Sequence, residues 1–198
     1  MNKNHSIEFF DKQFQVQARA GEAALNPFEL AALPYLRGRV LDYGCGMGNL
    51  AVAAASRGCS VVALDASETA IAHLQQRAAR DGLDIVAKPA DLRDYDIAED
   101  FDTIVSIGLL MFFDCKTAFR QLESLQARVC TGGVFIINVL IDGTTYMDMF
   151  APAGHCLFSE AELVRRFSGW KILSCETRNF DAPGERVKRF ATLITRKP

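Results

Sequence analysis

The chain contains no apolar run approaching the roughly 20 residues of a membrane span, so no spanning helix is expected. Met1 to Ala20 scatters charges and glutamines where a signal peptide would need an apolar stretch, and this predicts a cytoplasmic protein. Neither sign of charge dominates, since 22 Lys and Arg against 24 Asp and Glu leave a net charge of −2. Such a balance offers no electrostatic footprint for nucleic acid or an anionic membrane, which turns attention to small-molecule partners. Six cysteines occur without a C-x-x-C pair. That excludes a zinc ribbon and a thioredoxin motif; no metal site is expected, and the cysteines are expected to be free thiols. Internal repeats beyond βα units, low-complexity segments and linkers are also missing. At 198 residues and 49% hydrophobic content, the chain suits one domain with a sizeable core, as a monomer or a homodimer.

What is present is organised around Val40-Leu41-Asp42-Tyr43-Gly44-Cys45-Gly46-Met47-Gly48-Asn49-Leu50-Ala51. An apolar run ending in an acid, then glycines at alternate positions, then a helical start spell strand, tight loop and helix. Glycine permits φ > 0 and lets backbone N–H groups approach a ligand, and a helix start favours negative charge. The pattern then repeats. Ser60–Leu64 is a buried-strand run ending at Asp65, Ser67 caps a helix striped by Ala70, Ile71, Leu74 and Ala78, and Ile85–Ala87 leads to Asp91. Phe101–Ser106 is a fourth strand, Phe119, Leu122, Leu125 and Val129 stripe a helix closed by Gly132-Gly133, and Val134–Val139 is a fifth strand. Alternation at this spacing implies right-handed crossovers and a parallel sheet covered on both faces. A ligand then sits outside the carboxyl ends of the strands, where Asp42, Asp65, Asp91 and Ser106 fall.

The ends of the chain differ. Residues 1–38 carry an apolar patch (Ile7, Phe9, Phe10, Phe14, Val16) that reads as a helix or lid or as a structural appendage, and a helix opening at Asn26-Pro27. Residues 39–139 form the core described above, and 140–198 carry the long Asp142–Phe158 connection, a capped helix at Ser159, and two final strands. With only the Asp181-Ala182-Pro183-Gly184 turn between them, Trp170–Glu176 and Val187–Thr195 are predicted to pair antiparallel at a sheet edge.

Two ligands compete for the glycine loop. Gly46-x-Gly48-x-x-Ala51 satisfies a weak dinucleotide signature, with Asp65 on a ribose diol. Asp42-x-Gly44-x-Gly46-x-Gly48 instead fits an S-adenosylmethionine site. The short chain, the lack of a Tyr-x-x-x-Lys pair and the terminal antiparallel strands favour the second.

Over nearly its whole length the sequence resembles class I S-adenosylmethionine-dependent methyltransferases. The matching motifs are Leu41–Gly48, Ala63-Leu64-Asp65, Ala90-Asp91-Leu92 and Phe101–Ser106. Within that superfamily it is most similar to the tellurite-resistance methyltransferases, through Leu110-Met111-Phe112-Phe113, Phe158–Leu163 and Arg189-Phe190-Ala191-Thr192. The resemblance implies a Rossmann-like, doubly wound α/β fold of seven mostly parallel strands with an antiparallel last strand. It implies S-adenosyl-L-methionine as cofactor, S-adenosyl-L-homocysteine as product, and tellurium or selenium oxyanions as acceptors. Asp65 would take the ribose hydroxyls and Asp91 the adenine amino group beside the Leu92 backbone. Asp42, Gly44, Cys45, Gly46 and Gly48 would surround the methionyl part next to Ala66, and Ser106 and Ile107 would border the sulfonium. Arg19 is a candidate for the cofactor carboxylate.

For the acceptor, Met111 and Phe112 offer a soft apolar wall with Met147, Met149 and Phe150, while Arg178, Arg186, Lys188 and Arg189 offer cations for an oxyanion. The family commonly carries a histidine beside the arginine here; Arg178-Asn179-Phe180 has none. His155 in the long connection is the candidate base for a hydroxyl or amine acceptor. Other small acceptors of thiol, thiopurine or phenol type, or a cofactor-binding module without catalysis, are the alternatives.

Overall fold

The structure, a computed structural model, describes residues 24–150 and 154–198. The expected N-terminal helix or lid, and Arg19 within it, lie outside the described residues. Helix α1 (Pro27–Ala32) begins on a capping box: the Asn26 side chain accepts from the Phe28 and Glu29 N–H groups, and Glu29 accepts from Asn26 N. Strand β1 (Arg39–Tyr43), helix α2 (Asn49–Ala55), β2 (Ser60–Asp65), α3 (Glu68–Asp81), β3 (Ile85–Pro89) and β4 (Phe101–Ile107) follow. Helix α4 (Cys115–Ala127), β5 (Val129–Leu140), α5 (Glu160–Arg166), β6 (Lys171–Ala182) and β7 (Arg186–Arg196) complete the order.

The strands form one seven-stranded sheet in the order β3-β2-β1-β4-β5-β7-β6. Pairing is parallel from β3 to β5, while β7 runs antiparallel to both β5 and β6 and separates them. Both faces are covered, which is why the central strands read as unbroken apolar runs. On one face Leu50, Ala54, Ile71 and Leu74 of α2 and α3 pack on Val105, Ile136 and Ile194. On the other, Leu122, Leu125, Leu163 and Phe167 pack with Ile104, Phe135 and Leu193. Each fully buried side chain of this size contributes roughly 1.5–3 kcal/mol by leaving water. Among the described residues no helix is long and apolar enough to cross a membrane.

Two expectations are corrected. The fourth helix ends at Ala127, and Gly132-Gly133 lie inside β5 rather than capping the helix. They serve an irregularity in which Phe101 pairs with Val129 but Thr103 already pairs with Val134. A Cβ on Gly133 would stand 2.7 Å from the Cys130 carbonyl, so the bend requires glycine. The second correction concerns the thiols. Cys115 and Cys156 are disulfide-bonded, with Cα atoms 4.7 Å apart, and only Cys45, Cys59, Cys130 and Cys175 are free. Cys156 is held beside the start of α4, where its N–H donates to the Met111 carbonyl at 3.0 Å.

Candidate active site

A cavity of about 510 Å³ opens at the carboxyl ends of β1, β2 and β4, and it is the size of a small organic ligand site. One half is built by the glycine loop. Gly44 N and Cys45 N donate to the Leu64 carbonyl at 2.8 and 3.0 Å, holding the loop against β2. Asp65 braces it from the other side: Oδ2 accepts from Gly46 N at 2.8 Å and Oδ1 from Ser67 N at 2.9 Å. Gly48 adopts φ 72° at the start of α2, and a Cβ there would lie 2.5 Å from the Leu74 side chain. Gly48→Ala is therefore expected to cost about 2 kcal/mol or more, from left-handed backbone strain and overpacking, read as a lowered midpoint in denaturant unfolding.

Asp42 is 5% exposed and lines the cavity, and its Oδ2 has no hydrogen-bond partner among the described residues. Burial, reinforced by the nearby Glu29 and Asp65 carboxylates, pushes its pKa up to about 8 from 3.8. A buried carboxyl left open to the cavity suits a cationic group. S-adenosylmethionine carries an ammonium and a sulfonium, and it suits these accepting carboxylates better than a dinucleotide pyrophosphate would. Burial also raises the pKa of Glu29 at the same rim.

Gly44, Cys45, Gly46, Asp65, Ala66, Asp91, Leu92 and Ile107 all line the cavity. Asp91 is held by Arg93, whose guanidinium keeps the Asp91 carboxyl below its ordinary range. The Leu92 carbonyl accepts from the buried Tyr43 hydroxyl at 2.7 Å, tying this loop to β1. Ser106 is fully buried and does not line the cavity, whereas its strand neighbour Ile107, whose side chain faces the opposite side, does.

The other half of the cavity is walled by Phe28, Met111, Phe112, Asn138, Tyr146, Met149, Lys188 and Phe190. Met111 and Phe112 both line this wall, but the four cations do not converge. Lys188 alone lines the cavity, with Nζ 4.7 Å from the Tyr146 ring centroid. Arg186 stacks on the same ring and is paired with Asp148 at 2.6 Å. Arg178 is paired with Glu176 at 2.8 Å, and Arg189 donates to the Asp142 carbonyl at 3.3 Å. These partners come from the strand itself and from the connection after β5. His155 also lies off the cavity, its ring stacked on Phe150 at 4.8 Å between centroids. Sequence reasoning missed Asn138, Phe190 and the α1 residues Phe28 and Glu29. The Asn26-x-x-Glu29 capping box was a readable signal for α1; for Asn138 the signal was one polar residue in an apolar strand.

A match to the family described as "Tellurite resistance protein TehB" covers residues 4–194. A probable S-adenosyl-L-methionine-dependent methyltransferase TehB from Haemophilus influenzae strain 10810 is 27% identical over 197 residues, 96% of this chain and 66% of that protein. The crystal structure of TehB from Haemophilus influenzae superposes with a TM-score of 0.77 at 23% identity, over 92% of this chain and 65% of that one. The N-methyltransferase NodS from Bradyrhizobium japonicum shares the fold with a TM-score of 0.66 at 20% identity, over 87% of this chain and 98% of that one. The chain thus spans about two thirds of the length of these TehB relatives. The family match over residues 4–194, together with a sheet whose β7 runs antiparallel, establishes that this chain belongs to the TehB family, on the class I S-adenosylmethionine-dependent methyltransferase fold.

Proposed function

We propose that the protein transfers the methyl group of S-adenosylmethionine to a small soft acceptor, a tellurium or selenium oxyanion. The observation that carries this reading is a cavity with two chemically different halves on one sheet edge. One is acidic (Asp42, Asp65, and Asp91 with its partner Arg93), and the other is thioether and aromatic, with Lys188 as its lining cation among the described residues. The cofactor supplies a methyl group on a sulfonium, and its transfer to a lone pair neutralises charge without a base. The chain's own residues therefore have to orient and dry the reactants, which supplies of order 7–11 kcal/mol in the best cases. Asp65 takes the ribose hydroxyls, Asp42 the ammonium, and Asp91 with the Leu92 backbone the adenine edge. Met111, Phe112 and Met149 offer polarizable surface to a large chalcogen atom, and Lys188 neutralises its oxygens.

Phe28, Tyr146 and Phe190 on the same wall favour a second reading, an aromatic acceptor of phenol or thiopurine type. Turnover with labelled cofactor against tellurite, selenite, thiols, thiopurines and phenols separates the two, and absence of transfer to all of them refutes catalysis. Lys188→Met is expected to raise the oxyanion KM about tenfold, the scale of one charge-assisted contact, while leaving cofactor affinity unchanged.

A further inference from the structure

Asn138 is the one polar side chain in the acceptor half of the cavity, among the described residues, that is fully buried. It interrupts Val134–Leu140, an otherwise apolar run of β5. It stands opposite Ile107 of β4 and Thr192 of β7, and its carbonyl accepts from Gly108 N at 2.9 Å. The side-chain Nδ2 donates to Thr192 Oγ1 at 2.9 Å and to the Ala191 carbonyl at 3.4 Å. A carbonyl can only accept, so the nitrogen end of the amide has to face β7. The oxygen end is thereby fixed as the other edge, and Asn138 Oδ1 has no hydrogen-bond partner among the described residues. Buried acceptors left unpaired are rare, and this one belongs to a residue that lines a cavity.

We propose that Asn138 is a specificity-determining residue whose Oδ1 accepts a hydrogen bond from the methyl acceptor, so that the site takes an acceptor carrying an O–H or N–H. For a chalcogen oxyanion this is the singly protonated monoanion. The inference rests on the methyltransferase reading above and extends it to the form of the acceptor. An amide oxygen accepts and does not donate, whereas the Lys188 ammonium donates and does not accept. A ligand meeting both has a donor hydrogen and an anionic oxygen. In the transfer step the chalcogen lone pair forms the new bond to carbon, and the S–CH3 electron pair returns to sulfur. The proton on the acceptor oxygen stays where it is, because Asn138 takes no proton. Asn138 thus selects the acceptor and holds it without acting as a base.

The test measures methyl transfer to selenite at saturating cofactor by the wild type, Asn138→Ala, the near-isosteric Asn138→Leu, and Thr192→Val, with cofactor affinity determined separately by calorimetry. The expected result is a selenite KM raised tenfold or more in both Asn138 variants, with cofactor affinity within twofold of the wild type. Thr192→Val keeps Oδ1 but loses one anchor of Nδ2, and a KM rise of two- to threefold is expected. An unchanged KM in the Asn138 variants overturns the proposal, as does a loss of cofactor affinity in step with KM, which would assign Asn138 to the cofactor. If the wild type transfers methyl groups only to phenols, the oxyanion reading fails independently. A dihydroxybenzene is then compared with its monomethoxy analogue: tenfold discrimination that vanishes in Asn138→Ala supports the role of Oδ1, and equal discrimination in both proteins overturns it. No transfer by the wild type to any acceptor overturns both readings.

Discussion

Asp65→Ala is expected to weaken S-adenosylmethionine binding about 100-fold, a loss of about 3 kcal/mol. The carboxylate does two jobs at once. It braces the glycine loop through Gly46 N and the start of α3 through Ser67 N, and each of its oxygens has capacity for more than one donor. In the proposed complex that capacity goes to the ribose diol, so truncation removes ligand contacts and loosens the loop that presents them. Asp65→Asn keeps one accepting oxygen and should fall between the wild type and Asp65→Ala. Calorimetric titration with the cofactor checks the series; equal affinities across it would remove Asp65 from the binding site.

The second large effect is on pH dependence. With its pKa near 8, Asp42 is mostly protonated at pH 7 in the ligand-free protein. That pKa lies above the ordinary 3.8, so the unfolded chain binds fewer protons in between. Asp42 therefore erodes stability as pH rises from about 4 to about 8, the reverse of an ion-paired carboxylate. Cofactor binding runs the other way. In the proposed complex an ammonium beside Asp42 favours the carboxylate, so binding is expected to release close to one proton per cofactor around pH 6–7, with affinity rising by up to about tenfold per pH unit before levelling above pH 8. Titrations in two buffers of different ionisation enthalpy read the released proton directly. Asp42→Asn should abolish the release and flatten the pH profile; a release that survives the substitution would show that another group titrates.

The glycine-loop half of the cavity was legible because its information is local. Asp42 through Gly48 is one strand end and one loop, and Asp65 ends the next strand, so each acid is placed by its own few neighbours. The acceptor half depends on contacts far apart in sequence. Arg186 is captured by Asp148, 38 positions earlier, and the Cys115–Cys156 bond spans 41 positions. No local pattern announces either. Gly132-Gly133 misled for a related reason: a glycine pair after a helical stripe is a good stop signal, but here it answers the crowding of β5 against the Asp102 carbonyl. Asn138 carried a signal of another kind, since a lone amide in a buried strand has to be satisfied by something.

The insertion of β7 between β5 and β6 has a consequence for how such a protein can change over generations. Its register is pinned at the inner end, where Thr192 meets Asn138 and Arg196 meets Val134, while Lys188 and Phe190 stand toward the turn at Pro183–Glu185. Residues added or removed in pairs at that turn leave every inward side chain of β7 on its own face. The hairpin can therefore lengthen or shorten the wall that carries Lys188 and Phe190 like a drawn slide, while the glycine loop between β1 and α2 stays untouched.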